Sequence, residues 1–171
     1  MKLSGLPSGL PISIQIRLVK ILRHFGFNVL TIDYSGYGDS SGSPTHQTVV
    51  DDVVSGFLHL VGTCPGPHLI YGHSLGTSIA VAANQRLQRH PSQQKPDGII
   101  LDAPLYSVRR EILDYPHAQL MQRIYSKSVF EKMVDYHLAA HEIKFDTHKQ
   151  ILDIANPVLL LQAEDDTVGK Y

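Results

Sequence analysis

The chain has one cysteine, no block of like charge and no long apolar run, and each shortage removes a class of protein. A lone Cys64 excludes an internal disulfide and any multi-cysteine metal site. It sits in the loop-like stretch Gly62-Thr63-Cys64-Pro65-Gly66-Pro67, with no strand-turn-helix setting to present a reactive thiol, and reads as a bystander. The 15 basic and 16 acidic residues give a net charge of -1, so no nucleic-acid footprint is expected; the densest basic pair, Arg109-Arg110, reads as a solvated loop. Without about 18 consecutive apolar residues there is no candidate transmembrane helix. Pro7 and Pro11 interrupt a weakly apolar start that lacks the basic flank and compact apolar core of a signal peptide.

What remains is a 171-residue chain, 43% hydrophobic and 18% charged, the makeup of a single globular domain with a core of its own. Ile14, Leu18, Ile21, Leu22 and Phe25 recur at helical spacing before Gly26, predicting a first helix over about 13–25. Val29-Leu30-Thr31-Ile32 is a β-branched, apolar run ending in Asp33, as in a strand buried on both faces of a parallel sheet. A glycine- and serine-rich loop follows, and Ser43-Pro44 reads as a helix cap and first turn. Val49, Val50, Val53, Val54, Phe57, Leu60 and Val61 then mark the apolar stripe of a second helix, ending near Gly62.

Further strands are expected at 68–71, 98–101 and 158–161. The alternation of strand and helix argues for a parallel α/β sheet, whose ligands bind beyond the carboxyl ends of the strands. Asp33, Ser74, Asp102 and Asp166 all fall at such ends. Between about 106 and 154 the alternation lapses, and Ile124, Val129, Phe130, Met133 and Val134 fall at loosely helical spacing, so this stretch is read as a helical insertion before the last strand. Its apolar face suits either internal packing or an acyl chain.

The residues that carry chemistry are Gly72-His73-Ser74-Leu75-Gly76. They lie between an apolar strand and a small-residue helix bearing Gly76, Ala80, Ala83 and Leu87 on one face, the setting of a nucleophile elbow. A strand that bends abruptly into a helix strains its central residue, and side chains two positions either side are expected to collide, hence glycine at 72 and 76. Ser74 is the candidate nucleophile and the backbone N–H of Leu75 the expected first oxyanion donor, aided by the helix dipole. His73 reads as a support residue, because its neighbour occupies the tip. Asp166 is the candidate acid, with Asp165 its nearest competitor and Asp102 a weaker alternative that fits equally well as a loop anchor. All ten histidines precede Asp166. His137, His141 and His148 are the candidates for a base supplied from the insertion, with ordinary surface histidines as the competing reading.

Taken together, Asp33-Tyr34-Ser35-Gly36-Tyr37-Gly38-Asp39-Ser40, Gly72-His73-Ser74-Leu75-Gly76-Thr77 and Ala163-Glu164-Asp165-Asp166 resemble the α/β-hydrolase-domain serine lipases, in the monoacylglycerol and lysophosphatidylserine lipase branch. Leu101-Asp102-Ala103-Pro104 and Ile143-Lys144-Phe145 extend the resemblance over most of the chain from Leu18. It implies an α/β-hydrolase fold with an incomplete parallel sheet and an ester hydrolase for single-chain lipids. It also implies Ser74 as nucleophile, Asp166 as triad acid, and no metal or organic cofactor. It implies an endoplasmic-reticulum membrane location, with membrane contact through an N-terminal segment that this chain does not carry.

The same resemblance implies a strand between those ending at Asp33 and Tyr71, an upstream His-Gly loop with the second oxyanion donor, and a histidine after Asp166. None is present here, so impaired catalysis and a gap in the sheet are expected, as in a fragment or splice form. Two other readings stay open: a noncatalytic interaction or regulatory protein, and a hydrolase of the same fold acting on acylated proteins.

Overall fold

The computed structural model describes residues 12–164, which excludes Pro7, Pro11, Asp165 and Asp166. Helix α1 (Ile12–His24) is followed by α2 (His46–Thr63), strand β1 (Leu69–His73), α3 (Leu75–Gln88) and β2 (Gly98–Asp102). Helices α4 (Val108–Asp114), α5 (Pro116–Ile124), α6 (Lys127–Ala140) and α7 (Thr147–Gln150) then fill the interval before β3 (Val158–Leu161). The three strands pair in parallel in the order β1-β2-β3, with Tyr71 opposite Ile100, His73 opposite Asp102, and Asp102 opposite Leu161. All three strands therefore finish at one edge, and the bend at Ser74 lies there.

Three strands and the first three helices stand where the sequence puts them, because each carries its own period and its own stop signals. The expected strand Val29–Ile32 does not: among the described residues it joins no ladder, and β1 pairs only with β2. A β-branched run becomes a strand only when a neighbour supplies backbone partners. The strand that the family resemblance implies between the two would have been that neighbour. Ile32 instead packs on α2, its Cγ2 3.1 Å from where a Cβ on Gly56 would stand.

Helix α1 forms as expected, but its most buried side chains lie beside the expected apolar stripe. Among the described side chains Gln15 and Val19 are buried and Leu18 and Leu22 half-buried, whereas Ile21 is exposed, as is Phe25 just after the helix, at 72%. Periodicity fixes the helix; the surface it meets fixes which stripe is covered. The start of α2 also differs. Its cap is Thr45, not Ser43: Thr45 Oγ1 accepts from the Thr48 N–H at 3.1 Å, and the Thr45 N–H donates to Thr48 Oγ1 at 2.8 Å. This reciprocal pair satisfies two end groups that a serine two residues earlier cannot reach.

Val49, Val50, Val54 and Phe57 of α2 meet Ile79, Ala80, Ala83 and Leu87 of α3, and Ile70, Ile99 and Leu101 of the sheet lie against them. Small side chains on α3 allow that close approach. The loosely helical spacing from Ile124 to Val134 spans two helices, with a break at Tyr125-Ser126, and Val134 is its buried member. The insertion is pinned to α3 by Ser78 Oγ and Thr147 Oγ1, 2.7 Å apart in a buried bond.

Candidate active site

Ser74 joins β1 to α3 with φ 52° and ψ -122°, a backbone conformation in which a side chain costs about 1–3 kcal/mol. Three bonds hold it there. The Ser74 N–H donates to the carbonyl of Asp102 at 2.9 Å, while its own carbonyl accepts from the N–H of Thr77 at 2.9 Å and from Thr77 Oγ1 at 2.6 Å. Thr77 Oγ1 in turn accepts the N–H of Leu105 at 3.3 Å, tying the bend to the loop after β2. Thr77 is fully buried, and only its place beside the elbow motif hinted at this role.

The two flanking glycines are not equivalent. A Cβ on Gly72 would stand 2.7 Å from the carbonyl carbon of Gly76 and 2.8 Å from Thr77 Cα, and closer still to the Gly76 oxygen. A Cβ on Gly76 would meet nothing within 4 Å. The expected collision is thus confined to Gly72. The first turn of α3 lies over that Cα, whereas the corresponding direction from Gly76 opens outward. Leu75, as the first helical residue, presents an N–H in the turn where no intrahelical acceptor exists.

Beside the elbow, the Tyr71 hydroxyl donates a hydrogen bond to the Asp102 carboxylate. Burial, and then that bond and the negative charge of Asp102, raise the Tyr71 pKa. Asp102 therefore has both its carbonyl and its carboxylate engaged, the arrangement of a loop anchor. Ala103 follows with φ 49° and donates its N–H to Leu161 at 2.8 Å, so the ends of all three strands are cross-linked.

His73 is half-buried and its Nδ1 has no hydrogen-bond partner among the described residues. The three candidate bases of the insertion lie against other aromatic rings. His148 stacks on Tyr106 at 4.0 Å between ring centroids, and His137 lies beside His141. Asp166 and Asp165 lie outside the described residues; β3, which leads to them, runs beside β2.

The Gly/Ser loop folds back on itself and onto α2. Ser35 binds the Asp52 carboxylate of α2 through its N–H at 2.7 Å and its hydroxyl at 3.1 Å, and Ser40 Oγ donates to the Asp33 carbonyl at 2.9 Å. Asp33 lies over Gly38, where a Cβ would come 2.7 Å from its carboxyl carbon. In the insertion, Glu111, Ile112, Tyr115, Ala118, Met121 and Phe130 line a mainly apolar cavity of about 320 Å³. Among the described residues no three metal-ligating side chains converge, and no helix is long and apolar enough to cross a membrane.

Residues 13–148 match the family model Hydrolase_4, described as Serine aminopeptidase, S33. The lysophosphatidylserine lipase ABHD12 of Danio rerio is 34% identical over an alignment of 162 residues that covers 92% of this chain and 40% of that protein. Its namesake in Macaca fascicularis is 31% identical, covering 92% and 38%. The human protein ABHD12B is 30% identical, covering 89% and 41%. The chain spans about two fifths of the length of these curated relatives. A crystal structure of an alpha-beta hydrolase from Vibrio vulnificus aligns with a TM-score of 0.61 at 24% identity, over 80% of this chain and 46% of that one, and shares the fold. An open parallel sheet, a strained serine at the strand-to-helix bend and the family match lead to one conclusion: the chain belongs to the Serine aminopeptidase, S33 family of α/β-hydrolases.

Proposed function

We propose that the chain carries the nucleophile half of a serine ester hydrolase acting on single-chain lipid esters, such as a lysophospholipid or a monoacylglycerol. The observation that carries this reading is the backbone of Ser74, held at φ 52° by bonds to Asp102 and Thr77. A structural serine gains nothing from that strain; a nucleophile gains an Oγ projecting beyond the bend.

In this reading Ser74 attacks the ester carbonyl, the leaving alcohol departs with a proton, and water releases the acyl group. The Leu75 N–H stabilises the oxyanion, and Asp166 orients the imidazole that takes the Ser74 proton. On the family resemblance that imidazole belongs to a histidine following Asp166, since His148 stacks on Tyr106 and His137 lies beside His141. The apolar cavity beside Tyr115 and Met121 receives the acyl chain. The relatives' names, lysophosphatidylserine lipase, support a lysophospholipid as substrate, and the family resemblance supports association with the endoplasmic reticulum membrane.

A fluorophosphonate probe tests the nucleophile. The 171-residue chain should label slowly, the label should vanish in Ser74→Ala, and extension by a histidine-bearing downstream segment should accelerate it. Absence of labelling in both lengths of folded protein would favour a noncatalytic role. Hydrolysis of an acylated peptide in preference to lysophosphatidylserine would move the substrate to the thioester class.

A further inference from the structure

A second cavity, of about 330 Å³, lies between the first turn of α2 and the last turn of α3. Fifteen residues of chain, about 22 Å at helical rise, separate Arg89 on its wall from Ser74. Among the described residues no carboxylate lines it. His46 enters from α2, and Arg86, Arg89 and His90 from the end of α3 and just beyond. We infer that this cavity binds a hydrogen-phosphate-like oxyanion, either free phosphate or the phosphate monoester of a larger molecule.

Basic residues near the end of α3 complement the helix dipole, which accounts for one or two of these groups. It does not account for His46, contributed by the opposite helix, nor for the state of the others. Arg86 is held in place by Asp51 and by Gln47 Oε1 at 2.9 Å. Arg89 has no ion pair among the described residues. The Nδ1 of His46 accepts the Lys144 N–H at 3.4 Å, so the neutral ring carries its proton on Nε2 and remains a donor.

Burial, followed by the positive charges of Arg86 and Lys144, lowers the His46 pKa against the opposing charge of Glu142. The surroundings of the ring are thus electropositive. Gln150 supplies a further sign: its backbone carbonyl is taken by Gln85 Nε2 at 2.9 Å, while its side-chain Oε1 is buried with no partner among the described residues. Hydrogen phosphate matches this set, with charged oxygens for the guanidinium forks and one O–H for a lone acceptor. Sulfate at neutral pH lacks that O–H. The volume equals about ten waters, which leaves room for atoms beyond one phosphate group.

Calorimetric titration of the 171-residue protein with inorganic phosphate at fixed ionic strength tests the site. Binding at one per chain is expected, tighter than for sulfate, and at least tenfold weaker in Arg89→Gln. Arg89 is exposed, so the variant should keep its circular dichroism spectrum; His90→Gln provides a second variant. Phosphate should also raise the His46 pKa read from its ring resonances. Glycerol phosphate binding without retention on phosphatidic acid vesicles would identify a soluble monoester, and Arg89-dependent retention on the vesicles a lipid headgroup. Absence of phosphate binding, equal binding of sulfate, or unchanged binding in Arg89→Gln and His90→Gln would overturn the proposal.

Discussion

Tyr71 on β1 reaches diagonally across the ladder to Asp102 on β2, its hydroxyl donating to a carboxylate two residues beyond its own ladder partner Ile100. Asp102 also holds the Ser74 N–H through its carbonyl. One residue thus fixes the strand before the bend and the bend itself. Tyr71→Phe should leave that carboxylate without its donor and cost about 1–3 kcal/mol in denaturant unfolding. If stability is unchanged, the Tyr71–Asp102 bond has no part in holding the elbow.

Gly72 and Gly76 should respond oppositely to the same substitution. Gly72→Ala drives a methyl group into the backbone of the first turn of α3, and should lower stability by about 1–3 kcal/mol or more. Gly76→Ala meets open space within a helix, and should gain about 0.5–1 kcal/mol. Paired thermal melts decide between this asymmetry and a symmetrical clash.

Replacing the strained serine should separate stability from reactivity. Ser74→Gly relieves the side-chain strain at φ 52°, and should raise stability by about 1 kcal/mol after the unfolded-state entropy of glycine is counted. Ser74→Ala keeps the strain and should leave stability nearly unchanged. Both should abolish fluorophosphonate labelling, and a destabilised Ser74→Gly would contradict the strain.

Alkaline pH should destabilise the fold through Tyr34. Its burial, and then the charge of Asp52, push its pKa from 10.0 up to about 12. A folded pKa above the unfolded one contributes stability that is complete below pH 10 and lost as pH rises from 10 towards 12. The loss attributable to Tyr34 is on the order of 2–3 kcal/mol. In Tyr34→Phe the slope of stability over that interval should flatten, as read by urea unfolding at successive pH values.

Joining α3 to the insertion rests on Ser78 and Thr147. Their buried bond should give a coupling of about 1 kcal/mol in a double-mutant cycle of Ser78→Ala and Thr147→Val. Additive effects would show that packing alone seats α7.

Much of this molecule is legible in the order of its residues. The elbow Gly72-His73-Ser74-Leu75-Gly76, the strands around Ile70, Ile99 and Leu160, and the valine stripe of α2 follow from local period and local steric demand, which a short segment carries with it. Tertiary structure decided what depends on a neighbour. Val29–Ile32 has the composition of a strand yet joins no ladder, because hydrogen bonds must be supplied by another segment. Helix α1 buries Gln15 and Val19 more deeply than Leu18, Ile21 and Leu22 of its apolar stripe, because only the opposing surface selects a face. The anchoring of Ser74 by Asp102 and Thr77, the Tyr71 bond, and the meeting of His46 with Arg89 across two helices join residues remote in the chain. Sequence spacing carries no record of such distances; the packing of α2 and α3 against the parallel sheet creates them.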